Sequence, residues 1–271
     1  MAILVSESNS APLVMESRRE AVCTLTLNRP ERLNALNSAL GQALLDALNS
    51  AAKDATLRAL VITGAGRGFC AGGDLDTLRR AREREDVTEV EDLLKLGKQI
   101  ILTIATMPKP VIAAVNGPAA GAGANLALAC TARIASEQAS FTQSFAKIGL
   151  FPDFGGTYFL PRLVGGALAA ELMLSAATIA AGEALRIGLV SRVVPQDRFE
   201  QETALLADRL AAAPPIVARG IKQTSCLGDR DQLERALDEE IRWQVTCFRS
   251  RDCLEGLQAF LEKRPPQFHG R

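Results

Sequence analysis

Two glycine-rich turns are the parts of this sequence best suited to chemistry. The first runs through Thr63–Gly68 into Phe69-Cys70-Ala71-Gly72-Gly73-Asp74-Leu75 and follows an apolar strand, Ala59–Ile62. The second, Asn116-Gly117-Pro118-Ala119-Ala120-Gly121-Ala122-Gly123-Ala124, follows Val111–Val115 and leads into an apolar helix through Asn125, Leu126, Leu128 and Ala129. Small residues at a strand-to-helix turn let a ligand approach the main chain closely. The first N–H groups of a helix have no partner inside it. One such donor from each turn, aimed at the same carbonyl oxygen, would form an oxyanion hole and hold the charge that develops when a neighbouring proton leaves.

Other readings of the second turn are packing alone, a dinucleotide site and a membrane span. The dinucleotide pattern G-x-G-x-x-G fails, because Leu126 stands where the third glycine belongs after Gly121 and Gly123. No charge lies between Lys109 and Arg133, but that run is mostly Ala and Gly and is broken at Asn116-Gly117-Pro118. It makes a poor membrane span.

Alternating strands and helices position these turns. Ala21–Leu27 alternates as a strand, and Asn28-Arg29-Pro30 turns the chain. Asn34 or Asn37 can cap a helix carrying Leu36, Leu40, Leu44, Leu48 and Ala51. The densely charged stretch Asp76–Asp92 reads as a solvated helix or loop, with a lid as the alternative. Leu93–Met107 is an amphipathic helix stopped by Pro108 and Pro110. Short strands follow at Arg133–Ser136 and Leu189–Val194, Ser140–Lys147 is strand or loop, and Ile148–Gly156 is a loop punctuated by Gly and Pro. Thr157–Val164 opens a helix cut by Pro161, and Ala181–Gly188 is helical. From Phe199 onward only helices are expected: Phe199–Ala213, Pro215–Cys226, Asp229–Phe248 and Ser250–Lys263, with Pro214-Pro215 and Gly228 as separators and Ser250 as a cap. The strand–turn–helix unit recurs, which implies an α/β core of repeats in residues 1–198 and a helical layer or oligomer contact in 199–271.

The 271 residues, 48% of them apolar, suffice for a large core. Lys+Arg and Asp+Glu both number 31, so no charge imbalance points to nucleic acid. Six cysteines without a C-x-x-C pair read as reduced thiols of a cytoplasmic protein. His269 is the only histidine, which argues against a histidine triad or a zinc site, and no metal is expected. The opening MAILVSESNS has neither the basic region nor the apolar core of a signal peptide.

The chain resembles the enoyl-CoA hydratase/isomerase (crotonase) family. The resemblance rests on Leu27–Leu36 (LNRPERLNAL), Phe69–Leu75 (FCAGGDL), Asn116–Leu126 (NGPAAGAGANL), Gly149–Thr157 (GLFPDFGGT) and Phe260–Arg264 (FLEKR). It implies a spiral of ββα repeats with a C-terminal helical trimerisation domain, assembled as a trimer or dimer of trimers. It implies acyl-CoA thioester substrates, with coenzyme A part of the substrate and no separate cofactor. The oxyanion donors then match Gly73 and Ala122. Contacts to coenzyme A are then expected near Arg32, Ala35 and Ala71, with Phe260 and Lys263 closing over it from the same or a neighbouring subunit.

Hydratases of that family hold a water between two glutamates. The matching positions here are Asn125 and Phe145, neither of which exchanges a proton. The carboxylate that remains is Asp153, which apolar neighbours could push toward the working range of a general base. Family members with an Asp there include enoyl-CoA isomerases and the ring-epoxide isomerase of phenylacetate catabolism, which this segment looks most like. Haloaryl-CoA dehalogenases also carry one but need a histidine base. The expected activity is therefore isomerisation of an acyl-CoA through a thioester enolate, with hydration of a 2-enoyl-CoA or non-catalytic binding of coenzyme A as alternatives. The alternative role for Asp153 is a cap on the helix near Gly155. Asp74 reads as a cap or loop anchor, Asn125 as a substrate or backbone partner, Phe145 as an apolar wall, and Tyr158 and Trp243 as core or interface.

Overall fold

The computed structural model describes residues 11–226 and 229–271, so the opening decapeptide and Gly228 lie outside the described residues. The chain begins with the antiparallel pair β1 (Val14–Arg19) and β2 (Val22–Leu27). β2 is the strand expected from its alternation. β1 gives no such signal, because only Val14 of its six residues is buried. Asn37, not Asn34, caps α1 (Ser38–Lys53), its side chain accepting the Leu40 N–H at 2.9 Å. The face bearing Leu40, Leu44, Leu45 and Leu48 is buried.

β3 (Ala59–Gly64), β4 (Val111–Val115), β6 (Ala132–Ser136) and β9 (Arg192–Val194) extend the sheet in the order β1-β2-β3-β4-β6-β9, parallel after the first pair. A second layer contains β5 (Ala119–Ala120), β7 (Ser140–Thr142) and β8 (Thr178–Ala180), in the order β5-β7-β8. The chain passes from β4 to β5 and from β6 to β7, each time stepping from the large sheet to the small one. After β5 it enters α4 (Ala122–Leu128). This repeated step is the ββα unit, and it winds the chain into a spiral. Parallel strands need cover on both faces. One face packs in the main core with α1 and α3 (Val87–Thr106). The other lies under α8 (Phe199–Ala211), where Val61, Ile112, Ala114 and Ile134 meet Phe199, Leu206 and Ala207.

The charged stretch 76–92, expected as a solvated helix or loop, is helical, but it is split between two helices with buried inner faces. Asp74 caps α2 (Leu75–Glu83) and Asp86 caps α3, so α3 begins six residues before Leu93. Between the helices the chain reverses at Glu85, with φ +55°. Pro161 does not cut α5 (Gly156–Val164) but lies inside it. Helices α6 (Gly166–Ser175) and α7 (Ala181–Arg186) complete the core. Beyond β9 no strand occurs among the described residues. α9 (Pro215–Ile221) continues into a π-helical turn at Lys222–Cys226, followed by α10 (Arg230–Arg249) and α11 (Arg251–Glu262). α10 packs on α3 and α5, and α11 on the turn at Ser144–Ile148. The Ser250 hydroxyl accepts the Cys253 N–H at 3.1 Å and caps α11 as expected. Cys23, Cys70, Cys130, Cys247 and Cys253 are free thiols. No helix among the described residues is long and apolar enough to cross a membrane.

Candidate active site

The two glycine-rich turns pack directly on each other. Ala120 N donates to Cys70 O at 3.0 Å, and Phe69 N donates to Pro118 O at 3.1 Å. Gly123 fits this contact because a Cβ there would sit 2.2 Å from Cys70 O. The first turn is also gripped by the segment after β2. Leu36 N donates to Gly72 O at 2.7 Å, and Asp74 N donates to Leu36 O at 2.9 Å. In a parallel bridge the residue between two such bonds turns its own groups away from the partner, so the Gly73 N–H is left over. Ala122 is the first residue of α4, where an N–H has no acceptor inside the helix. Neither amide donates to an acceptor among the described residues. A Cβ at Gly72 would lie 3.4 Å from Ala122 N, which measures how closely the turns meet.

Both residues line a cavity of about 540 Å³. Its walls are largely apolar: Leu75, Leu78, Val90, Leu94, Phe145, Ile148, Leu150 and Phe248, with Phe260 and Leu261 contributed by α11. Arg32, Ala35 and Ala71 also line it, and Arg32 pairs with Asp76 at 3.0 Å. Of the ten residues singled out in the sequence, eight share this cavity. Asn125 and Lys263 do not. Asn125 is fully buried behind the wall, donating to Asp153 O at 2.7 Å and accepting from Gln143 Nε2 at 2.8 Å. It supports the backbone of the Asp153 loop. Lys263 ends α11 with φ +54°.

Three carboxylates line the cavity. Asp74 caps α2 and pairs with Arg29 at 3.0 Å, as a loop anchor should. Asp76 is occupied by Arg32. Asp153 differs from both. Its Oδ2 accepts from Gln244 Nε2 at 3.0 Å, and Oδ1 is buried with no hydrogen-bond partner among the described residues. It does not cap α5 with its side chain. That task falls to Glu240, which accepts from Gly155 N at 2.8 Å, Thr157 N at 2.9 Å and the Thr157 hydroxyl at 2.5 Å. Burial pushes the Asp153 carboxyl up to about 7, the Gln244 hydrogen bond works against this, and the nearby Glu240 charge adds to it. Burial likewise raises Glu240 to about 7 against its hydrogen bonds. Tyr158 is a core residue whose hydroxyl donates to Asp229 O at 3.1 Å, and half-exposed Trp243 stacks on Phe151.

Glu240 and Gln244 escaped the sequence reading because they lie some ninety residues from the loop they hold. A signal was present. Leu233, Leu237, Glu240, Gln244 and Phe248 form the buried stripe of α10. Two polar side chains on an otherwise apolar stripe need buried partners.

The arrangement offers two free main-chain donors and one proton-exchanging carboxyl in an apolar cavity. A family model described as enoyl-CoA hydratase/isomerase matches residues 17–271. A probable enoyl-CoA hydratase of Rhodobacter capsulatus is 46% identical over 253 residues, 93% of this chain and 96% of the relative. The 1,2-epoxyphenylacetyl-CoA isomerase of Escherichia coli is 40% identical over 262 residues, 95% of this chain and 98% of the relative. The crystal structure of an enoyl-CoA hydratase from Mycobacterium avium subsp. paratuberculosis superposes with a TM-score of 0.85 at 34% identity, covering 95% of this chain and 98% of that one. With family-specific turns, the crotonase-like ββα spiral and matches over nearly its whole length, the chain belongs to the enoyl-CoA hydratase/isomerase family.

Proposed function

We propose that this member of the family is an acyl-CoA isomerase. Asp153 takes a proton from the carbon beside the thioester carbonyl, the Gly73 and Ala122 amides hold the enolate oxygen, and Asp153 returns the proton further along the chain. The observation that carries this reading is Asp153, a cavity-lining carboxyl that is buried with one oxygen unpaired among the described residues. Asn125 and Phe145 stand where hydratases need glutamates, and Phe145 is an apolar wall instead. Arg32, Ala35 and Ala71 fit contacts to coenzyme A, and Phe260 fits a cover over it. The exposed apolar residues Ile216, Val217 and Ile221 on α9 support a contact between copies of the chain, in line with a trimeric assembly.

Hydration is the second reading, favoured by the name of the 46% identical relative. Two substrates separate them. With 3-hexenoyl-CoA the expected product is 2-hexenoyl-CoA, and with crotonyl-CoA little 3-hydroxybutyryl-CoA should form. Rapid formation of 3-hydroxybutyryl-CoA would make the protein a hydratase. Tight binding of both thioesters without turnover would make it a binding protein.

A further inference from the structure

The loop carrying Asp153 is held from outside the spiral core. Phe154 and Gly155 both have positive φ, +52° and +77°. A non-glycine residue in the left-handed region stores strain that its surroundings must offset. Two side chains one turn apart on α10 do so. Glu240 binds Gly155 N and Thr157 N on the far side of Asp153, and Gln244 Oε1 accepts the Phe151 N–H at 2.8 Å on the near side. With Oε1 committed to an N–H, the other end of the Gln244 amide must be the donor. That donor, Nε2, lies 3.0 Å from Asp153 Oδ2. Gln244 is 4% exposed, so water does not compete for these bonds.

We propose that Gln244 is a positioning residue for proton transfer: by occupying Oδ2 while its own carbonyl is pinned by Phe151 N, it leaves Oδ1 as the oxygen that handles the proton. The inference rests on Asp153 being the acid/base of the proposed isomerisation. In the first step the α-carbon proton moves to Oδ1, and the C–H electron pair enters the enolate, charging the thioester oxygen. In the second the Oδ1 proton passes to the γ-carbon, whose new C–H bond takes its electrons from the dienolate as the carbonyl re-forms. One oxygen serves both steps, so the proton leaves the α-carbon and reaches the γ-carbon on the same face. The Gln244 bond favours the ionised carboxylate and opposes the effects of burial and of Glu240, the charged group packed beside the loop.

The test uses the full chain with Gln244→Met and Gln244→Glu, assayed on 3-hexenoyl-CoA across a range of pH. Gln244→Met removes both bonds. Its kcat is expected to fall about tenfold or more, as misplacing a reacting group does, with KM little changed and the acid limb of the rate profile moved to higher pH. Gln244→Glu keeps an acceptor for Phe151 N and, once ionised, puts a like charge in place of the donor to Oδ2, and should show the same two changes. Should the methionine variant not fold, the glutamate variant decides alone. Wild-type kcat and limb in Gln244→Glu, or a fall in kcat with the limb unmoved, would reduce Gln244 to a loop support and overturn the proposal. Asp153→Asn in the same assay separates the two levels. Its inactivity beside unaffected Gln244 variants overturns the positioning role alone, whereas full activity removes the acid/base reading as well.

Discussion

Asp153→Asn is expected to lower isomerisation by at least about a hundredfold, the lower end of what a positioned acid/base group contributes, while making the folded protein more stable at neutral and alkaline pH. The amide is close to isosteric and can still meet Gln244, but it cannot exchange a proton. The stability gain follows from the same burial. Asp153 titrates at about 7 in the folded chain against 3.8 for a free carboxyl. Between those values the folded protein keeps a proton that the unfolded chain has released. This group therefore favours the fold at low pH, and that contribution is lost as pH rises through about 7. A neutral amide has no charge to bury. Melting temperatures of the variant and the wild type should differ more at about pH 8 than at about pH 5. Equal differences at both would mean that the carboxyl is not buried as described. Turnover near the wild-type rate would remove Asp153 from the chemistry.

Gly72→Ala is expected to cost nearly as much by parting the two turns. Gly72 has φ +91°, which an alanine adopts poorly, and its Cβ would lie 2.7 Å from Ala120 O. That oxygen is backbone and cannot swing aside, so the turn bearing Gly73 must shift away from the one bearing Ala122. Losing one preorganised donor typically costs about 10²–10³ in kcat, and kcat should fall in that range. Gly73→Ala is the contrast. Its Cβ would meet only Leu78 Cδ1, at 3.6 Å, so the turn should stay in place. A Gly72→Ala enzyme with wild-type kcat would show that the amides of these turns do not act together.

Much of this site is legible in the sequence. The turns could be read because small residues between an apolar strand and a helix let a ligand approach the main chain, and the family resemblance, which puts hydratase glutamates at positions 125 and 145, pointed away from hydration. Other parts were hidden for physical reasons. The first strand has one buried residue in six and so no period. The charge of 76–92 concealed helices whose narrow inner faces, Leu78 and Ala81 on α2 and Val90 on α3, are buried. Capping α5 was the alternative role for Asp153, and Glu240 fills that place from a distant helix. Local patterns report local partners, and the clamp on this loop arrives through tertiary contact alone.

The most direct measurement is a crystal structure of the protein with a non-hydrolysable acyl-CoA analogue that keeps the carbonyl oxygen. The carbonyl oxygen should lie within hydrogen-bonding distance of both Gly73 N and Ala122 N, about 2.7–3.1 Å. Asp153 Oδ1 should stand roughly 3–3.5 Å from the α-carbon. A carbonyl bound away from either amide, or an Asp153 whose free oxygen faces away from the acyl chain, would contradict enolate formation at this site.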